Sequence, residues 1–358
     1  NLLIITLALG FALSFQKAEA FELVYGEETF EIKDEALESF KGAGAAAGQS
    51  LLEKSGSPED LLAAFLGKPA KPKGQVLIFK NRPEKVYGYI KTLAEEINVA
   101  KAEPALELKN DAAAHFSPPR DGLTLDVYTS TLKTLEALEK AESSAELSVE
   151  ADKPAGSLMQ TNSLGINELV AIGESSFKGS PKNRIHNIKV GVEKMKGVII
   201  KPGEEFSFNK YLGPVEEGYG FLPELVIKSD GTVPELGGGL CQVSSTTFRA
   251  AMNAGLPITQ RKNHAYAVQY YAPQGTDATI YPGSVDLKFV NDTPANILIW
   301  PYIKDTYKLV FEFYGTKDSR KVTLEKPIQY DRKADGSMKA EWTRIVEKDG
   351  KTATSTFK

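Results

Sequence analysis

Between Gly237 and Gly255 the chain brackets one segment with glycines, and this constrains the local fold more than any other feature. Gly237-Gly238-Gly239 leads into Leu240-Cys241-Gln242-Val243-Ser244-Ser245-Thr246-Thr247, then Phe248-Arg249-Ala250-Ala251-Met252-Asn253-Ala254. Three residues without Cβ ahead of small hydroxyl side chains describe a loop turning sharply into a helix. Gly255 is suited to end it. Cys241 then lies near a helix N-terminus, where the macrodipole and unbonded N–H groups favour negative charge and can hold a developing oxyanion. It is the only cysteine of the chain, and its surroundings are those of a nucleophile rather than of a small core residue.

The opening run Asn1-Leu2-Leu3-Ile4-Ile5-Thr6-Leu7-Ala8-Leu9-Gly10-Phe11-Ala12-Leu13-Ser14-Phe15 is uncharged and apolar, and Ala18-Glu19-Ala20 follows it. This pattern reads as a secretory signal segment over residues 1–20 with an A-x-A-like cleavage site. No charged stretch or initiator Met precedes it, and the end at Lys358 is abrupt, so the expectation is a chain shortened at both termini. The apolar run is short beside the roughly 20 residues of a spanning helix. A cleaved signal is the reading, an uncleaved anchor its alternative, and membrane attachment is expected through no other segment. An unpaired thiol in an exported protein points to a reactive group.

A formal net charge of -4 on 358 residues, 42% of them hydrophobic, suits an exported globular chain of two or three domains and argues against nucleic acid as a partner. One cysteine and three scattered histidines give no standard ligand spacing, so neither a metal nor a cofactor is expected.

Residues 21–74 read as an N-terminal α+β segment. Short strands are expected at 21–25 and 28–32, a helical pattern between Ala36 and Leu66, and a Pro/Lys-rich linker over 68–74. Residues 75–154 form a compact α+β pattern with helices expected over 86–99 and 127–140. His115 there reads as an ordinary histidine. Residues 164–316 carry an amphipathic helix ending at Gly197, the Cys241 helix, and closely spaced strand patterns to Tyr314. The fold class is α+β, a largely antiparallel, even barrel-like, β domain with a few helices, preceded by a small α+β module. In the run 263–271, strand alternation would put His264, Tyr266, Val268 and Tyr270 on one face. Residues 317–358 read as a β extension covering a sheet edge, with a hairpin turn at Lys348-Asp349-Gly350-Lys351.

Several segments together resemble the VanW family. They are Arg184-Ile185-His186-Asn187-Ile188, Ile200-Lys201-Pro202-Gly203-Glu204-Glu205-Phe206-Ser207-Phe208-Asn209, the Gly237–Thr247 run, Arg261-Lys262-Asn263-His264, Gly275-Thr276-Asp277-Ala278-Thr279-Ile280 and Asp286-Leu287-Lys288-Phe289-Val290-Asn291. The region before them resembles the peptidoglycan-binding-like domain that often precedes a VanW domain. The resemblance implies an exported, cell-wall-associated protein with peptidoglycan as partner, from a family named after an accessory protein found with glycopeptide-resistance genes. Some multidomain members are understood to be L,D-transpeptidases with the family cysteine as nucleophile, a role that falls here on Cys241. The usual L,D-transpeptidase signature, Ser-His-Gly-Cys, is absent, and Gly-Gly-Gly-Leu stands before Cys241 instead.

In that chemistry His264 is the favoured base and His186 its competitor on a helix. Asp277 is the candidate to orient the histidine or bind an amine, with turn capping as its structural alternative and Asp286 as a weaker one. Gln242 and the amides from Gly239 to Gln242 are oxyanion candidates, and Arg184 a substrate-carboxylate candidate. Ser244, Ser245, Thr246 and Thr247 read as helix-start and packing residues. The expected reaction is cysteine-dependent acyl transfer on peptidoglycan stem peptides. The alternatives are a cell-wall cysteine peptidase or amidase and a non-catalytic wall-binding protein.

Overall fold

The computed structural model describes residues 21–42, 50–53, 76–79, 81–228, 231–264, 267–333 and 338–358. The expected signal segment, most of the 36–66 helical pattern and the 68–74 linker lie outside them. Among the described residues no helix is long and apolar enough to cross a membrane.

The described residues divide into two compact units, the first within Asn1–Lys101 and Arg120–Pro154, the second within Ala102–Pro119 and Ala155–Lys358. This differs from the sequence boundaries in two respects. The strands at 21–32 share a core with the helices of the 75–154 region, and the hairpin Ala105–Lys109/Ala112–Ser117 belongs to the second unit. His115 is exposed on that hairpin.

In the first unit the strand Phe21–Tyr25 pairs antiparallel with Glu28–Ile32 and parallel with Ser144–Glu146. Helices α1 (Asp34–Phe40), α2 (Pro83–Ile97) and α3 (Val127–Glu139) pack with this sheet around one core. α2 starts on a proline, whose missing N–H costs nothing at the first helical position. It buries Val86, Ile90, Leu93 and Ile97, which follow helical spacing. Asp126 caps α3 by accepting a 2.9 Å hydrogen bond from the Thr129 N–H.

The second unit is α+β, as expected, but its strands form several small open sheets rather than a barrel. The largest is antiparallel throughout, in the order Glu168–Ser176, Lys308–Gly315, Ile297–Lys304, Val198–Ile200. A second sheet runs Glu205–Ser207, Lys288–Val290, Ile258–Gln260. Its helices are α4 (Leu158–Thr161), α5 (Lys182–Met195), α6 (Phe208–Leu212) and α7 (Leu240–Asn253). The core holds Phe206, Phe208, Phe248, Phe289, Phe311 and Phe313, all fully buried. Each contributes roughly 1.5–3 kcal/mol from burial.

α7 lies directly on the largest sheet. A Cβ built on Gly173 would stand 2.2 Å from the Thr246 carbonyl oxygen and 2.5 Å from the Ala250 nitrogen, so main chain meets main chain there. The helix ends as expected, with Gly255 at φ 69° and the Leu256 N–H returning to the Ala251 carbonyl.

Two strand expectations are corrected. The run 263–271 is not a sheet strand: residues 263 and 264 are unpaired coil, 265 and 266 lie outside the described residues, and Gln269–Tyr271 is a short 3₁₀ turn. The physical reason is that a side chain takes the backbone donor a ladder would need, because the His264 N–H goes to the Asp277 carboxylate. The C-terminal extension also does not pair with the largest sheet. It folds into its own, with Lys339–Lys348 between Lys321–Leu324 and Lys351–Phe357 and also pairing with Ile328–Tyr330. It covers α7 instead: Trp342 and Phe357 meet Phe248 edge-on, at 5.9 and 5.6 Å between centroids. Its hairpin turn has Asp349 at φ 51° and Gly350 at φ 74°, the two positive values of a tight turn between twisted strands.

Candidate active site

Gly239 occupies the N-cap of α7 at φ 109°, where an L side chain is strained. An added Cβ would also press on Arg184 Cγ at 3.0 Å. The turn it permits sets Cys241 as the second residue of the helix. The cysteine is half-buried, and its thiol donates to the Ile280 carbonyl at 3.5 Å.

The same face of α7 then captures the segment that carries the acid. Ser245, one turn on, donates to the Cys241 carbonyl and accepts from the Ala278 N–H at 2.9 Å, while Ser244 donates to the Ala278 carbonyl. Arg249, a further turn on, donates to the carbonyls of Tyr271, Ala272, Thr276 and Glu174 and to the Thr276 hydroxyl. Arg261 holds the other side, donating to the Asp277 and Gly275 carbonyls and approaching Asp277 Oδ1 at 3.4 Å. Together these bonds fix Asp277 beside the start of the helix.

Asp277 Oδ2 accepts from both the backbone N–H and the ring Nδ1–H of His264, at 2.7 and 2.6 Å. The ring is stacked on Tyr271 at 4.2 Å and 13°. Its side chain is only 5% exposed, and Nε2 is buried without a hydrogen-bond partner. Burial pulls the His264 pKa down. The hydrogen bond to Asp277 and the proximity of Cys241 outweigh this and raise it from 6.5 to about 9. Burial alone would raise the Asp277 carboxyl, but the His264 hydrogen bonds and the Arg261 charge hold it below its ordinary value.

Cys241, His264 and Asp277 are therefore brought together, with the carboxylate acting on the histidine rather than capping a turn. Arg184 joins them. It is buried on the first turn of α5, donates to Ser180 Oγ at 2.7 Å, lies 3.9 Å over the Tyr270 ring, and is within hydrogen-bonding reach of the Tyr271 hydroxyl. Gln242 is buried with its amide N–H groups committed to Ser175 Oγ and the Ser176 carbonyl. The amides of Leu240 and Gln242 bond to the carbonyls of Gly237 and Gly239. His186 is exposed and bonds to the Gly220 carbonyl at 2.8 Å. Asp286 accepts from Ser207 Oγ and from the Asn209 and Leu287 amides, a structural assignment. Thr246 and Thr247 donate back to the carbonyls of Gln242 and Val243, the residues one turn earlier.

Sequence reasoning missed Tyr271, Arg249 and Arg261. The signal for Arg249 was present: Cys241, Ser245 and Arg249 are four apart, one face of a helix.

Residues 183–314 match the family described as VanW like protein, a span that contains Arg184, Cys241, His264 and Asp277. The chain carries a VanW-family domain. Over 123 residues the chain is 39% identical to uncharacterized protein YoaR of Bacillus subtilis, covering 34% of this chain and 40% of that protein. A further alignment over 162 residues is 30% identical to Vancomycin B-type resistance protein VanW of Enterococcus faecalis, covering 43% of this chain and 58% of that protein. The chain thus spans about half the length of the curated relatives it matches. No solved structure matches it. The VanW domain holds every residue of the cysteine–histidine–aspartate arrangement, and the first unit lies outside the matched span.

Proposed function

We propose that the protein is exported to the cell wall and that its VanW domain is a cysteine acyltransferase of L,D-transpeptidase type acting on peptidoglycan stem peptides. The supporting observation is His264, held by Asp277 through Nδ1 and presenting an unpartnered Nε2 beside Cys241. Nδ1 donation to Asp277 leaves Nε2 as the nitrogen that exchanges its proton with the reacting groups.

In this reading the Cys241 proton already resides on Nε2, in keeping with the raised His264 pKa, and the thiolate sulfur attacks the carbonyl carbon of the scissile amide. The N-terminus of α7, with the Cys241 N–H, faces the developing oxyanion. Collapse breaks the C–N bond, the Nε2 proton passes to the leaving amine, and terminal D-Ala departs from a tetrapeptide stem, leaving a thioester. The amine of a neighbouring stem then attacks the thioester. Its proton passes to Nε2 and the C–S bond breaks, restoring the thiolate beside protonated His264. Water in place of the amine gives carboxypeptidase activity by the same steps.

The first unit supplies wall binding in this proposal, the apolar N-terminal segment directs export, and the similarity to a vancomycin resistance protein suggests a glycopeptide-resistance context.

The test is mass analysis of muropeptides after incubating the protein with peptidoglycan, beside a Cys241→Ala control. New 3–3 cross-links or loss of D-Ala, absent in the control, support the reading. Cleaved stems without cross-links convert it to a hydrolase. Wall binding with no chemistry on any stem overturns it in favour of a non-catalytic wall-binding protein.

A further inference from the structure

Three arginines surround the Cys241 site, and their hydrogen-bonding differs. A guanidinium has five N–H donors. Arg249 makes five hydrogen bonds, all to main-chain carbonyls and the Thr276 hydroxyl. Arg261 makes bonds from Nε and both terminal nitrogens and borders Asp277. Arg184 is as deeply buried, at 6% exposure, yet its partners are Ser180 Oγ, the Tyr270 face and the Tyr271 hydroxyl, all neutral. Among the described residues no carboxylate pairs with it. A buried charge without a counter-ion is costly, and guanidinium is matched geometrically to carboxylate.

The location of Arg184 ties it to the chemistry. Its stem packs where Gly239 lacks a Cβ, two residues before the nucleophile. Its head reaches Tyr271, whose ring lies on His264. The Tyr270 ring covers one face of the guanidinium, so recognition falls to its in-plane N–H groups. The charge count points the same way. Arg249, Arg261 and His264 share one carboxylate, Asp277, which two of them already engage, and it makes no ion pair with Arg184.

We propose that Arg184 is the specificity-determining residue that binds the free C-terminal carboxylate of the peptide whose terminal residue is released. The proposal rests on the acyl-transfer reading for its substrate class, but it is a statement about binding. It makes the site an exo-acting one: a peptide ending in a carboxylate is seated with its last amide bond at Cys241, and one ending in an amide is not.

The experiment uses two synthetic tetrapeptide stems, one ending in D-Ala as the free acid and the other as the carboxamide. Binding is measured by calorimetry with the full chain carrying Cys241→Ala, and turnover with the unsubstituted protein. The expected result is roughly 10- to 100-fold tighter binding of the acid, the range for a hydrogen-bonded charge. Arg184→Gln in the same background should abolish this preference, and Arg184→Lys should keep part of it. Comparing the two peptides on the unsubstituted protein needs no Arg184 variant, so a folding defect cannot mimic the result. Equal handling of acid and amide, a preference that survives Arg184→Gln, or no binding of either peptide overturns the proposal. An Arg184-dependent preference without turnover supports the carboxylate site and sinks only the acyl-transfer reading. Turnover of acid and amide alike does the reverse.

Discussion

Replacing Asp277 by Asn isolates the interaction on which the site depends. The His264 pKa stands at about 9 against an ordinary 6.5, and each tenfold in a proton equilibrium is about 1.36 kcal/mol. The folded protein therefore favours the charged ring by roughly 3 kcal/mol. At 5% side-chain exposure solvent screens little of this. Because the folded pKa lies above the unfolded one, the contribution is complete below about 6.5 and is lost as pH rises through about 9. Asp277 is shifted the other way, so its contribution is present above its ordinary 3.8 and is lost as pH falls through the lower folded value. In Asp277→Asn, burial pulls His264 down against Cys241 alone, and its pKa should fall by at least about one unit, some 1.4 kcal/mol. The assay is an NMR titration of the Cε1–H resonances of the three histidines, with His264 assigned from a His264→Gln spectrum. Denaturant unfolding alongside should show the stability gap between parent and variant closing as pH rises through about 9. A parent His264 midpoint at or below 6.5, or one that Asp277→Asn leaves in place, would refute the reasoning.

Three further outcomes follow from the packing. Gly173→Ala should cost about 2 kcal/mol or more in unfolding free energy, because its Cβ would enter the main chain of α7; a parent-like Tm would count against this contact. Ser245→Ala removes the acceptor for the Ala278 N–H and should cost about 1–3 kcal/mol while slowing alkylation of Cys241 by iodoacetamide, because the Asp277 segment loosens; unchanged stability and labelling would contradict it. Trp342→Ala should cost about 3–5 kcal/mol by denaturant titration, since the ring is nearly fully buried against Phe248; a loss under about 1 kcal/mol would show that the C-terminal sheet does not brace α7.

The parts of the site set by local chain chemistry were legible before the structure. Gly239 and Gly255 marked the limits of α7, and Cys241 followed from that helix start. His264 and Asp277 were also singled out, but for an incomplete reason. Strand alternation was invoked to orient His264, whereas a carboxylate 13 positions later holds both its ring and its backbone. Such a bond is not periodic, so no pattern of apolar residues reveals it. The C-terminal extension failed similarly. Its alternation correctly gave strands, but alternation does not say whether a sheet continues another sheet or lies over a helix. Phe248 and Trp342 decide that through packing. Gln242, adjacent to Cys241 in sequence, has its amide N–H groups turned to Ser175 and Ser176 because a helix sends neighbouring side chains about 100° apart.

The contact at Gly173 has a consequence for how this architecture tolerates change. Where a helix is seated by interlocking side chains, each core substitution shifts its axis by some fraction of an ångström. Here the seat is peptide backbone against peptide backbone, with only the small Ala250 Cβ beside it on the helix side. Cys241 rides on that helix less than two turns from Thr246, where the seat begins. Its position is inherited from the sheet, and the loops around it are free to vary about a fixed thiol.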